Sequence, residues 1–290
     1  MTPSAPPAPR LGLVGAGPQR AGTTWLYACL TSHPDLAFPA GVKETFFLDE
    51  RFEKGWDWYW SHFREAAPGA VRAEIAPTYF DQPQARERLW AHNPECRVVV
   101  SLRDPAARSF SLYLHLRSKG RLSGSFEDAV RASPRIVDSS RYARHLSGWI
   151  DRFGAERVHV VLADDIAERP EVVWRDVCAF AGLAPRPVPG TAGDRVNSGG
   201  LPRFPVLATL ATRGGDWLRE RRLYGPINFA KRLGLKRLYR GQREVPVLDR
   251  AARARLVETF AEDIRWVEGL VGRPLDRWRS FDPGPAGPGE

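Results

Sequence analysis

Cysteine is scarce in this chain. Its 290 residues contain only Cys29, Cys96 and Cys178, too few and too far apart for a disulfide scaffold or a cysteine-based zinc ribbon. Their odd number fits a reducing compartment. Long apolar runs are missing too: none approaches the roughly 20 residues that a membrane-crossing helix requires. Met1 to Arg10 is rich in proline and alanine and lacks the basic-then-apolar order of a signal peptide. No internal repeat is evident, and the composition excludes a coiled coil. These absences lead to the expectation of a soluble, cytoplasmic protein.

What is present is an excess of positive charge. The 43 Lys and Arg outnumber the 34 Asp and Glu, a formal net charge of +9. Such an excess points to an anionic partner; nucleotide, nucleic acid, acidic glycan and membrane surface all fit. With 43% hydrophobic and 27% charged residues, the chain is globular in composition rather than disordered. Its length allows one large domain or two small ones.

Strand and helix patterns alternate along the chain. Leu11–Gly15 is an apolar run ending in glycine, as a buried strand does. A glycine-rich turn leads into a helix over Thr23–Ser32, stopped by His33-Pro34. A short strand is expected at Leu36–Phe38, a strand over Val71–Ile75, and a proline-started helix over Pro83–His92. Cys96–Leu102 is the clearest buried strand. Asp104 and Pro105 then supply the N-cap and first position of a helix through about Ser118. Further helices are expected over Ser125–Arg131, Ser139–Phe153 and Pro170–Ala181, with a strand over Val158–Leu162. A long amphipathic helix is expected over Val247–Val271. The alternation predicts an α/β fold with a parallel sheet flanked by helices. Residues 1–9 read as a flexible lead, 10–281 as one domain and 282–290 as a disordered Pro/Gly tail. The C-terminal third, about 201–281, reads as helical and basic.

The turn after Leu11–Gly15 runs Ala16-Gly17-Pro18-Gln19-Arg20-Ala21-Gly22-Thr23-Thr24. Strand, glycine loop and helix together form the architecture that cradles phosphate: backbone N–H groups converge on the anion at a helix N-terminus. It is not a dinucleotide fingerprint, because Arg20 stands where the third glycine belongs. Gly17 and Gly22 have Walker A spacing, but Thr23 replaces the lysine, which argues against NTP hydrolysis. The bland alternative is a plain tight turn.

A second candidate anion motif follows Cys96–Leu102. Arg103 stands at the carboxyl end of that strand, the edge where open α/β sheets bind ligands. Ser111 follows about two helical turns on. A guanidinium and a hydroxyl meeting there suit a phosphate. The alternative is an Arg103 paired with a surface carboxylate and a solvent-facing Ser111.

Together the two motifs resemble sulfotransferases that use 3′-phosphoadenosine 5′-phosphosulfate (PAPS). Gln19–Leu26 looks like their 5′-phosphosulfate loop, K-x-G-T-T-W-L, with Arg20 in the lysine position. Arg103–Ser111 matches their 3′-phosphate motif, R-D-P-x-x-R-x-x-S, at every fixed position. Lys43–Asp49 and Glu74–Phe80 are similar to the K-E-x-x-F-F-D and E-K-[ST]-P-x-Y-F segments of bacterial and heparan-sulfate-type members. The resemblance covers about residues 11–180 well and the remainder loosely. It implies a P-loop NTPase-like sheet and PAPS as donor, with adenosine 3′,5′-bisphosphate as product and no obligatory metal. Arg20, Ala21, Gly22, Thr23, Thr24 and Trp25 would bind the phosphosulfate, and Arg103 with Ser111 the 3′-phosphate. Glu44 matches the proposed general base; its alternative is a surface carboxylate paired with Lys43. His115 and His62 are competing bases.

This chain departs from the pattern at Ile75, where the heparan-sulfate-type enzymes carry a lysine; the help of that lysine is either absent or supplied by another cation, with Lys43 as the candidate. The late R-K-G triplet of cytosolic members is not visible, and Asn197–Gly200 with Arg203 is a weak stand-in. The acceptor is left open between saccharide, lipid and secondary metabolite. The basic stretch 213–243 suits a membrane surface, an anionic acceptor or simple packing on the core. Trp56, Trp58, Tyr59 and Trp60 read either as a wall beside the acceptor or as core. Two other functions stand as alternatives: a P-loop small-molecule kinase, and a basic nucleic-acid binder that no aromatic-basic motif supports.

Overall fold

The computed structural model describes residues 9–192, Gly214, Leu218 and 246–280. The lead before residue 9, the Asn197–Arg203 stand-in, the tail from 282 and, apart from Gly214 and Leu218, the basic stretch 213–243 lie outside the described residues. The chain forms two compact units. One comprises residues 1–102 and 146–193, the other 103–145 and 194–290.

The first unit holds a five-stranded sheet of β1 (Leu11–Gly15), β2 (Leu36–Ala37), β3 (Val71–Ile75), β4 (Arg97–Leu102) and β5 (Val158–Leu162). The order is β2-β3-β1-β4-β5, and every pairing is parallel. Gly15 at the end of β1 lies opposite Ile75 of β3 and Val99 of β4. Val98, Val99 and Val100 are all fully buried, as a central parallel strand covered on both faces must be. The fold is the expected P-loop-like α/β sheet.

Among the described residues the helices include, in chain order, α1 (Thr23–Thr31), α2 (Phe47–Glu50), α3 (Gly55–Trp60), α4 (Pro83–His92), α5 (Pro105–Ser118), α6 (Phe126–Ala132), α7 (Arg135–Asp138), α8 (Tyr142–Phe153), α9 (Ala163–Glu168), α10 (Pro170–Ala181), α11 (Arg250–Thr259), α12 (Ala261–Val271) and α13 (Asp276–Arg279). One face of the sheet packs Leu13, Ile75, Val99 and Val161 against Leu26, Cys29 and Leu30 of α1 and Val173, Trp174 and Val177 of α10. Among the described residues no helix is long and apolar enough to cross a membrane.

In the second unit, α5 starts as its sequence dictates. The Asp104 carboxylate accepts from the Ala106 and Ala107 amides, and Pro105 occupies the first helical position. Two expected helices differ in their bounds. The one expected over Ser139–Phe153 starts later, at Tyr142, after a separate α7 that ends at Asp138. The Ser139 and Ser140 hydroxyls between them accept from the buried Arg108 guanidinium at 2.6 Å each. Val247–Val271 starts at Arg250, on an Asp249 cap, and breaks at Phe260. There the Arg141 guanidinium takes the Thr259 carbonyl. In both places a side chain far away in sequence binds the joint.

Candidate active site

The loop after β1 is built on a close approach of two backbones. The Ala16 amide donates to the Val99 carbonyl at 3.0 Å, and the Ala76 amide to the Gly15 carbonyl at 2.9 Å. Gly17 lies against β4 so closely that a Cβ on it would sit 2.3 Å from the Ser101 amide nitrogen. Only glycine fits there. Gly22, with φ 98°, then opens α1 as its N-cap. A helix start leaves its first amides without partners inside the helix. The N-cap, Gly22, has no side chain to cap them, and no acidic residue stands in the first turn. Thr23 is buried and Thr24 half-buried at that start. The arrangement suits an anion.

Arg20 has φ 73° and Phe46 φ 55°, the two left-handed non-glycine residues among those described. Each such residue costs on the order of 1–3 kcal/mol. One lies in the glycine loop, the other two residues after Glu44. Strain of this kind collects at functional sites.

Lys43 and Glu44 sit beside α1. The Lys43 ammonium lies 5.3 Å above the Tyr27 ring of α1 and 3.8 Å from a Glu44 carboxylate oxygen. The Glu44 side chain keeps 20% of its exposure, so it is neither sealed in the core nor free on the surface. The next residue, Thr45, is anchored hard. Its amide and hydroxyl both donate to Glu74 Oε1, at 2.9 and 2.5 Å. Tyr59 and Tyr79 donate to the other oxygen at 2.9 and 3.3 Å. Glu74 is fully buried, and burial pushes its carboxyl above the usual range against the pull of Thr45 and Tyr59. No sequence signal marked this support: Glu74 and Thr45 stand 29 residues apart.

Ile75 explains one departure from the sulfotransferase pattern. It is fully buried, and its Cδ1 packs over Gly15, within 2.2 Å of where a Cβ there would sit. That position faces the apolar core with Leu26, leaving Lys43 as the cation beside Glu44.

The aromatic residues after Glu44 split between the two readings. Tyr59 is fully buried and stacks on Phe47 at 4.7 Å, so it is core. Trp56, Trp58 and Trp60 are half-buried. His62 is buried, with Nδ1 against the Trp58 and Tyr59 carbonyls. His92 stacks on Trp56 at 3.8 Å, and burial, with the Arg10 charge, lowers its pKa from 6.5 to about 4. A histidine so shifted binds fewer protons folded than unfolded. The stability it carries is therefore full above pH 6.5 and lost as pH falls toward 4. His92→Phe is expected to remove this slope: the gap in melting temperature between variant and wild type should widen in the variant's favour from pH 6.5 to 4. Parallel pH profiles would contradict the assignment.

In the second unit, Arg103 follows β4 directly and is half-buried, as are Ser111 and His115 on α5. The Tyr142 hydroxyl donates to the Arg103 carbonyl at 2.7 Å. Arg108, the second arginine of the R-D-P-x-x-R motif, is 1% exposed and serves the α7–α8 joint. Asp104 Oδ2 takes an Arg253 Nη2 at 2.8 Å. Arg253 is a residue that motif reading passed over.

Residues 13–192 match the family described as sulfotransferase domain. The bifunctional heparan sulfate N-deacetylase/N-sulfotransferase 1 of Caenorhabditis elegans is 27% identical over 184 residues, 58% of this chain and 21% of that protein. The heparan sulfate glucosamine 3-O-sulfotransferase 5 of Mus musculus is 26% identical over 182 residues, 59% of this chain and 53% of that protein. The chain thus spans about a fifth to a half of the length of these relatives. A sulfotransferase from Alicyclobacillus acidocaldarius shares the fold, with a TM-score of 0.67 at 23% identity, over 93% of this chain and 99% of that one.

Proposed function

The chain belongs to the sulfotransferase domain family and is a transferase, and we propose that it moves the sulfuryl group of PAPS to a hydroxyl or amine of a saccharide, with Glu44 as general base. The observation that carries the donor reading is the glycine loop. It is packed backbone to backbone on β4 at Gly17 and opens a helix whose N-cap is glycine, with no acidic residue in its first turn. The saccharide acceptor is supported by what the heparan sulfate relatives are named for.

When bound, the donor supplies the sulfuryl group and leaves as the bisphosphate. Arg20, the first amides of α1 and the Thr23 and Thr24 hydroxyls stabilise the negative charge that gathers on the leaving phosphate. Arg103 and Ser111 hold the 3′-phosphate. Glu44 takes the proton that the acceptor loses as it attacks. Lys43, 3.8 Å from Glu44, is the cation beside the base. The missing Walker lysine at Thr23 weighs against the kinase alternative.

Calorimetric titration tests the donor site. Adenosine 3′,5′-bisphosphate should bind well above 5′-AMP and ATP–magnesium. Arg103→Ala and Ser111→Ala should each weaken it about tenfold or more, the effect of removing one hydrogen bond to a charged group. Preference for ATP–magnesium would favour the kinase. Equal, steeply salt-dependent binding of all nucleotides would favour the nucleic-acid reading.

A further inference from the structure

The C-terminal helices reach the Arg103-Asp104 turn through buried polar groups. Arg253 of α11 is 7% exposed. Its Nη2 meets Asp104 Oδ2 at 2.8 Å, while Nε and Nη2 donate to the Ser280 carbonyl at 3.1 and 2.8 Å. One guanidinium therefore ties the end of α13 to the cap of α5. A planar fork can make such a junction; an ammonium cannot match its directions. The same carboxylate uses Oδ1 to cap the Ala106 and Ala107 amides. The neighbouring Arg103 carbonyl is held by Tyr142, whose ring packs edge-on against Trp278 at 6.1 Å. A second anchor lies on α12: Asp263, 4% exposed, accepts from the Ala143 amide at 2.9 Å, in the first turn of α8.

We infer that Arg253 is a positioning residue for nucleotide selectivity: by fixing Asp104 and the start of α5, it sets Arg103 and Ser111 to recognise a ribose 3′-phosphate. The inference rests on the donor site proposed above. It extends that site beyond residues 13–192, the part that matches the family. Arg253 itself does not touch the nucleotide; it acts through Asp104. Preorganisation of this kind appears as lost discrimination when the support is removed, because the binding group must then be ordered at the expense of affinity.

The test is the ratio of dissociation constants for 5′-AMP and adenosine 3′,5′-bisphosphate, measured by calorimetry on the full chain. Arg253→Lys keeps the charge and loses the fork; Asp104→Asn keeps an acceptor for the α5 amides and loses the charge. Tyr142→Phe removes only the hydroxyl on Arg103. Circular dichroism and melting confirm which variants are folded. In folded Arg253→Lys and Asp104→Asn the ratio should fall on the order of tenfold with 5′-AMP affinity unchanged, and in Tyr142→Phe by less. A merely structural role would weaken both nucleotides together and leave the ratio alone. An unchanged ratio in the folded variants overturns the inference while the donor site stands. If wild type itself shows no preference for the bisphosphate, the donor-site reading fails and the inference falls with it.

Discussion

Glu44→Gln is expected to lower turnover by about 10²–10⁴-fold, the usual worth of a general base, and to leave the affinity for adenosine 3′,5′-bisphosphate unchanged. Glutamine keeps the shape of the side chain and its neighbour Lys43 but cannot take a proton. The loss belongs in kcat rather than KM, because the missing interaction is made only as the acceptor attacks. Two features of the structure support the role. Glu44 is partly sheltered and has a cation 3.8 Å away. It is also followed by a backbone that is locked in place, with Thr45 anchored on Glu74 and Phe46 in a left-handed conformation. Wild-type turnover in the variant would return Glu44 to the surface-pair alternative.

Glu74→Ala is expected to lose about 4 kcal/mol of folding stability, from at least two buried donors left dry at roughly 2 kcal/mol each. The donors are the Thr45 amide and the Tyr59 hydroxyl, both at 2.9 Å from the carboxylate; the Thr45 and Tyr79 hydroxyls would also lose their acceptor. Glu74→Gln should lose far less. Its amide oxygen can still accept from the Thr45 amide and hydroxyl. Urea unfolding of the two variants beside wild type measures this. A Glu74→Ala variant within about 1 kcal/mol of wild type, the range of ordinary substitutions, would show that the cradle adds little.

Much of the first unit was legible in the sequence because its signals are local. Leu11–Gly15, Val71–Ile75 and Val158–Leu162 are strands with the expected bounds, and Pro83–His92 and Pro170–Ala181 are helices with theirs. Each is a short apolar run or a proline-started helix whose boundaries are written in its own residues. The glycine loop was legible for the same reason. What was not legible is held by partners remote in sequence. The late start of α8 and the α11–α12 break occur where Arg108 and Arg141 bind the chain, which no local period reveals. Glu74 was read as part of a family segment, yet its work is to accept four hydrogen bonds at once. Arg253 falls inside the expected amphipathic helix over Val247–Val271 with no motif to single it out, and only the fold brings it to Asp104.

The most direct test of the account is transfer itself. Wild type and Glu44→Gln would be incubated with radiosulfur-labelled PAPS and de-N-sulfated heparan chains, and label in the glycan measured against adenosine 3′,5′-bisphosphate released. The account expects label and bisphosphate to appear in equal amounts with wild type, and both to fall about 10²–10⁴-fold in the variant. Label that stays out of the glycan while the bisphosphate accumulates, or equal transfer by the two proteins, would contradict it.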